Sequence, residues 1–206
     1  MTVENNASDD TQLDPAKPWL QYYPEWTDHS LEYPEKTLVE LYDDNLSANF
    51  SKTATNFFGR TMTYGELDVE VRRAADGLKR LGVQQGDRVA IMLPNCPQHV
   101  VAFFAVQKLG AIVAEHNPLY TAHELRPQFA DHGARIALVW DKAAETATKI
   151  KDDDSTALAI VVSVDMTKAM PLLQRAALQV PVGKLKKARE PVSYTHLRAH
   201  ETEADL

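Results

Sequence analysis

Seven histidines, one cysteine, eight glycines and the serines, Ser47 and Ser163 among them, are the residues of this 206-residue chain from which chemistry could be built. The histidines stand at 29, 99, 116, 123, 132, 196 and 200. None of them shows the ligand set of a helical zinc site, in which paired imidazoles are joined by further ligands. His116 and His123 bracket the 117–121 loop with a single acid on either side, and His196 and His200 lie in a short polar tail. Cys96 has no second cysteine, which excludes a disulfide framework and a cysteine-rich zinc site. It reads as a small buried apolar side chain in a reducing compartment. The glycines, at 59, 65, 77, 82, 86, 110, 133 and 183, never lie closer than four residues apart. A phosphate-cradling loop needs clustered glycines so that backbone amides can approach the anion, so the chain has neither a dinucleotide fingerprint nor a Walker-type loop. Ser47 and Ser163 lack the glycines of a nucleophile elbow. Spacing therefore assigns no catalytic residue, no cofactor-binding residue and no metal ligand.

The elements that would position a site are better defined. Residues 87–121 run as a strand at 88–92, a break at Leu93-Pro94-Asn95, an apolar helix from Pro97 to about Leu109, Gly110, a second strand at 111–114 and a loop at 116–120. That order is a βαβ unit, in which a helix crosses between parallel strands and the loops at the strand ends face a crevice where ligands sit. The pattern repeats downstream. Thr121 with Glu124 forms a capping box for a helix to about Asp131, ended by Gly133, and Pro127 should kink or shorten that helix. Strands follow at 135–140 and 158–164, separated by a helix at 141–151 and the charged turn Asp152-Asp153-Asp154. Near-continuous apolar strands alternating with helices predict an α/β fold with a mostly parallel sheet covered on both faces.

Upstream, Thr37 with Glu40 caps a helix whose apolar face is Leu38, Leu41, Tyr42 and Leu46 and which should pack on the sheet. Residues 54–58 and 60–63 flank Gly59 as a hairpin. Thr63 with Glu66 opens a helix with Leu67, Val71, Ala74, Ala75 and Leu78 on one face and Gly82 just past its end. Residues 1–17 are polar and acidic and read as a disordered lead-in. The aromatic and proline-rich stretch 17–26 reads as an extended arm whose rings pack on the domain surface. Residues 170–189 read as a loosely packed surface helix, their lysines compatible with contact to anionic lipid.

Composition bounds the partners. A hydrophobic fraction of 44% and a charged fraction of 25% suit a globular domain with a core. The net charge of -7 gives no electrostatic grip on a nucleic-acid backbone. The first residues are acidic where a signal peptide is basic and then apolar, and the longest apolar run, 100–106, is too short to span a bilayer.

Four motifs in order then carry a resemblance. Met62-Thr63-Tyr64-Gly65-Glu66-Leu67, the run from Gly86-Asp87-Arg88-Val89 to Leu93-Pro94-Asn95, Gln107-Lys108-Leu109-Gly110-Ala111-Ile112-Val113, and Asn117-Pro118-Leu119-Tyr120-Thr121 with Glu124-Leu125 resemble the early motifs of adenylate-forming acyl-CoA synthetases. The Asn117–Thr121 motif and the Trp19-Leu20 and Tyr23-Pro24 arm resemble the bacterial long-chain fatty-acid–CoA ligases, and 160–190 resembles a linker of actinobacterial members. The resemblance covers about 17–190 and implies the incomplete N-terminal part of that family's large domain. It implies a two-step reaction: ATP and a fatty acid form an acyl-adenylate with loss of pyrophosphate, and the CoA thiol then displaces AMP, with Mg²⁺ stabilising phosphoryl charge. The family's phosphate loop, its adenine and acyl-pocket motifs and its C-terminal lysine have no counterpart in this sequence, so the chain alone is expected to be inactive. Fatty acid, ATP and CoA are the partners implied, in the cytoplasm or peripherally at the inner face of the membrane. A fragment of an aryl- or medium-chain acyl-CoA ligase, or a non-catalytic acyl-binding or interaction module, is the alternative.

Residues 191–202, Pro-Val-Ser-Tyr-Thr-His-Leu-Arg-Ala-His-Glu-Thr, have a different origin on this reading. They resemble the translation of the transposon-end and adapter DNA used to prepare sequencing libraries. The domain division expected is thus a lead-in at 1–17, a partial AMP-dependent synthetase domain at 18–190 and a non-native tail at 191–206, with the gene continuing past codon 190.

Overall fold

Inner strands with apolar residues on both sides force helices onto both faces of the sheet, and the computed structural model, which describes residues 17–28, 30 and 33–178, is built that way. Its elements are α1 (Leu38–Asn49), β1 (Thr53–Phe57), β2 (Arg60–Thr63), α2 (Tyr64–Arg80), β3 (Arg88–Met92), α3 (Pro97–Lys108), β4 (Ile112–Glu115), α4 (Ala122–His132), β5 (Ile136–Trp140), α5 (Ala144–Lys151), β6 (Ile160–Val164) and α6 (Leu172–Leu178). Strands β4, β3, β5 and β6 lie in that order in one wholly parallel sheet. Along β3, Val89 and Ile91 enter a core shared with α2 and α3, while Ala90 and Met92 enter a second core shared with α4 and α5. In β5 the same alternation divides Ile136 and Leu138 from Ala137 and Val139. Period-two alternation with both sides apolar is the pattern of a strand buried on two faces. The α/β expectation and the parallel sheet hold.

Three helices begin as their sequences predict. In α1, α2 and α4, the hydroxyls of Thr37, Thr63 and Thr121 accept from the backbone N–H of Glu40, Glu66 and Glu124, whose carboxylates bond back to the cap residue. Each box satisfies two backbone donors that a helix start leaves free. Thr63→Ala is expected to cost about 1 kcal/mol in urea unfolding, with Thr63→Ser nearly neutral. The hairpin is also as predicted. Phe57 pairs with Arg60, and both turn residues, Phe58 at φ 52° and Gly59 at φ 91°, are left-handed, as a tight hairpin turn requires.

Four local expectations change. Helix α1 packs on α2 and α3 and not on the sheet, because those two helices already cover that face. Its Tyr42 is buried against Phe104, with ring centroids 4.4 Å apart, while Leu38 is exposed. Pro127 does not shorten α4, which runs on to His132 and ends at left-handed Gly133. Pro127 and His123, whose carbonyl loses its donor, are on the exposed side where water can take the missing bond, and Leu125 and Phe129 anchor the helix by full burial. Strand β6 is an edge with half-exposed residues, not a buried strand. Pro18–Tyr22 forms a short 3-10 helix, not an extended arm, and its residues are not buried.

The chain divides into two units, Met1–Lys36 and Thr37–Leu206. The lead-in expected at 1–17 falls, apart from Lys17, outside the described residues, as do 179–206, which hold the expected tail. Within the second unit, Lys108 ties three helices together. Its Nζ donates to Asp43 Oδ1 at 2.8 Å, lies 3.8 Å from Asp68 Oδ1 and sits 5.1 Å from the centre of the Tyr42 ring. Arg72 Nε donates to Asp68 Oδ2 at 2.6 Å.

Candidate functional site

The order β4-β3-β5-β6 places consecutive strands on opposite sides of β3: β4 on one side, then β5 on the other. The chain therefore reverses its winding between β3 and β5, and loops leaving the carboxyl ends of strands at such a point diverge and leave a crevice. A cleft of about 330 Å³ lies to one side of that point, between the hairpin, α2 and the carboxyl ends of β3 and β6, and neither the 116–120 loop nor the turn after β5 lines it. Its floor is apolar, with Leu93, Val101, Leu138 and Val164 among the residues that form it, and its rim carries Arg60, Glu66, Glu70 and Lys168. Arg60 Nη1 donates to the Lys168 carbonyl at 3.0 Å, which joins the hairpin to the 3-10 turn Met166–Ala169. Gln98, at the start of α3, donates through Nε2 to the Asp165 carbonyl at 3.3 Å. Gln98 Oε1 and Thr55 Oγ1 are buried without a hydrogen-bond partner. The apolar lining is what such a cleft offers to an apolar body. Among the described residues the cleft has no nucleophile held by a base.

Three of the described histidines, His99, His116 and His132, fall into two separate arrangements on either side of the sheet. His99 Nε2 lies 2.9 Å from Glu115 Oε1, and this bond, ahead of the Glu115 charge, raises the pKa of His99. On the other side, His116 Nε2 and His132 Nε2 face each other at 2.9 Å. The surrounding bonds fix their protons. The Ala134 N–H can only donate, and it donates to His132 Nδ1 at 3.0 Å. His132 therefore carries its proton on Nε2 and gives it to His116 Nε2, and His116 in turn donates from Nδ1 to Gln128 Oε1 at 2.9 Å. Gln128 is oriented by its own Nε2, which donates to the Glu124 carbonyl at 2.9 Å. His116 is also stacked on Phe129, ring centroids 4.7 Å apart.

That chain of bonds decides what the pair can do. A metal ion would need the Nε2 lone pairs of both rings, and the Ala134 bond denies one of them. Among the described residues, no group of three or more His, Cys, Asp or Glu is placed to hold a metal ion. The sequence shows His116 and His123 bracketing the loop and assigns neither a partner; the fold pairs His116 with His132, sixteen residues away. No local pattern could have identified that partner, since it depends on α4 packing across the end of β4. Cys96 is buried at the start of α3 and burial pushes its thiol pKa up, so it sits as an inert apolar group. Among the described residues, no helix is long and apolar enough to cross a membrane.

Comparison with known proteins adds what this geometry does not contain. The sequence model of a family described as AMP-binding enzyme matches residues 43–199. The chain is 40% identical over 135 residues to the long-chain-fatty-acid–CoA ligase of Bacillus subtilis (strain 168), a match covering 66% of this chain and 24% of that protein. It is 46% identical over 80 residues to 4-coumarate–CoA ligase 2 of Oryza sativa subsp. japonica, covering 39% of this chain and 14% of that one. Among solved structures, a long-chain-fatty-acid-CoA ligase (FadD1) from Archaeoglobus fulgidus superposes with a TM-score of 0.59 at 24% identity, over 68% of this chain and 31% of that one, which speaks to the fold alone. The chain spans about a quarter of the length of the curated long-chain ligases it matches.

Proposed function

The chain belongs to the AMP-binding enzyme family, and from that premise we propose that it is part of a long-chain fatty-acid–CoA ligase. The whole protein would join ATP and a fatty acid into an acyl-adenylate with release of pyrophosphate, then pass the acyl group to the CoA thiol with release of AMP. Adenylation turns a poor leaving oxygen into a good one, and Mg²⁺ would neutralise phosphoryl charge as it develops. The observation that carries this reading is the 40% identity to the Bacillus subtilis ligase over 66% of the chain.

The described residues supply no fitting cradle for ATP or Mg²⁺. The left-handed glycines each sit at a separate turn, at Gly59, Gly82, Gly86, Gly110 and Gly133, and no loop brings them together. No step of the reaction is therefore assigned to these residues, which would contribute part of the scaffold and one wall of a cleft. The domain division proposed remains a partial synthetase domain over 18–190 and a non-native tail at 191–206, although the family match runs past residue 190 into that tail. The place proposed is the cytoplasm, with peripheral contact at the inner face of the membrane.

The test is to amplify the genomic locus, read past codon 190, and express both the resulting frame and the 206-residue chain. The longer product should form acyl-CoA from a long-chain fatty acid only when ATP and CoA are both present, and the 206-residue chain should release no pyrophosphate above background. Pyrophosphate release by the short chain would overturn the placement of the chemistry elsewhere. Preference of the longer product for 4-coumarate or benzoate would favour an aryl-CoA ligase, the reading that the 46% identity over 80 residues supports. Adapter-like codons found in genomic DNA would establish the tail as native.

A further inference from the structure

Glu115 and His116 are consecutive residues at the carboxyl end of β4, and strand geometry sends them to opposite faces of the sheet. Glu115 engages His99 near the start of α3, and His116 engages His132 in the last turn of α4. The His116 backbone N–H also donates to the Ile91 carbonyl at 2.9 Å, so the ring is presented to α4 from a fixed point on β3. The loop that follows is tight: the N–H of Leu119 donates to Asn117 Oδ1 and that of Tyr120 to the Asn117 carbonyl. From this geometry we infer that the His116–His132 contact is a proton-sensitive latch, holding the 117–121 loop and the last turn of α4 closed while both rings are neutral and releasing them when either ring takes a second proton.

The bond directions make the release obligatory. Each Nε2 faces the other at 2.9 Å with one proton between them. A second proton on His116 would go to Nε2 and point at the proton already there. A second proton on His132 would go to Nδ1 and meet the Ala134 N–H. Neither ring can accept it without turning, and turning His116 unstacks it from Phe129 and breaks the Gln128 bond.

The groups around the pair act in the same direction on balance. Burial is the main cause that lowers the pKa of His132, to about 4, followed by the charge of His116; Arg88 on β3 also lowers it and Asp131 on α4 opposes. Burial likewise lowers the pKa of His116, against the Gln128 bond and the charge of Glu115 on β4. A histidine whose folded pKa lies below its unfolded value stabilises the fold above the unfolded pKa, near 6.5, and that contribution is lost as pH falls from there toward the folded value. His99 behaves oppositely, since its pKa is raised; while Glu115 is ionised, the ionic part of their contact is present below the unfolded histidine value and is lost as pH rises past the raised one. Acid therefore loosens the α4 side of β4 and leaves the α3 side held.

The experiment follows ring nitrogens and amides of the whole 206-residue chain by NMR between about pH 7.5 and about pH 4.5. His116 should remain the Nδ1–H tautomer to below the ordinary histidine value and His132 the Nε2–H tautomer to about pH 4. Exchange protection at Leu119, Tyr120 and Gly133 should fall about tenfold beyond the change at Val89 and Leu138 in the inner strands. His132→Gln gives His116 Nε2 an amide that donates to the neutral ring and, turned over, accepts from the charged one, so protonation of His116 no longer breaks the contact and the acid-specific fall should disappear. If the variant does not fold, the wild-type titration decides alone. Both rings titrating near 6.5, flat protection in the loop, or an equal loss at the inner strands would each overturn the latch.

Discussion

Replacing Lys108 with methionine is expected to lower the free energy of unfolding by about 2–3 kcal/mol, and replacing Asp68 with leucine in the same chain should recover most of that loss. Methionine keeps the apolar stem that packs beside Tyr42, so the single change reads the charge. The Lys108 side chain is only 17% exposed and that of Asp68 9%. Asp68 Oδ1 is buried without a hydrogen-bond partner, and Lys108 is the cation that lies on its side at 3.8 Å. Breaking a buried pair from one side costs about 3–5 kcal/mol when nothing else serves the stranded charge. Here Arg72 still holds Asp68 Oδ2 and Asp43 is half-exposed, so the expected loss falls below that range.

The surroundings show why the charge matters. Tyr42 has a buried hydroxyl without a partner, and its pKa is pushed up to about 12 by burial first and by the charges of Asp68 and Asp43 next. Removing Lys108 leaves two carboxylates and this ring without the cation between them. Urea unfolding of the wild type, Lys108→Met and the double variant measures the effect. A loss under about 0.5 kcal/mol for the single variant would mean that solvent screens the group as it does a surface pair. A double variant as weak as the single one would trace the loss to packing instead.

What was legible in the sequence was what neighbouring residues decide between themselves. The three Thr and Glu capping boxes lie within single turns, and the alternation along β3 and β5 lies within five residues. The hairpin at Phe58 and Gly59 needed only its own turn chemistry. What was not legible depended on which elements become neighbours. Residues 160–164 are as apolar as an inner strand, yet the strand order leaves them at an edge. Apolar composition records that one side is covered and not how many strands flank it. Helix α1 has a face that any apolar surface would satisfy, and the order of packing gave that surface to α2 and α3. The pairs His99–Glu115 and His116–His132 are each sixteen residues apart, and no periodicity links them. They form because β4 ends beside the first turn of α3 and beneath the last turn of α4. Pro127 illustrates the converse, a strong local signal overruled by two fully buried anchors on the same helix.

Phe129→Ala should produce the largest loss among single changes in the α4 side of the molecule, about 3–5 kcal/mol. Phe129 stands first by volume among the fully buried side chains, and it joins Leu125 in the core that α4 and α5 share with Ala90, Met92, Ala137 and Val139. Small residues surround it, with Ala143, Ala144 and Ala147 all on α5 or the turn before it, and alanines cannot move to fill a lost ring. A loss of that size approaches the whole stability of a small domain, so the variant should unfold at or near room temperature. Phe129→Leu separates the two roles of the ring. Leucine fills much of the space and should cost about 1–2 kcal/mol, but it offers no aromatic face to His116. The burial that holds the two histidines neutral would weaken with it. Their ring titrations should then move up toward the ordinary histidine value while urea unfolding remains cooperative. If Phe129→Leu leaves both titrations where they are in the wild type, the stack at 4.7 Å contributes nothing to keeping His116 and His132 uncharged, and burial by the rest of the core does so.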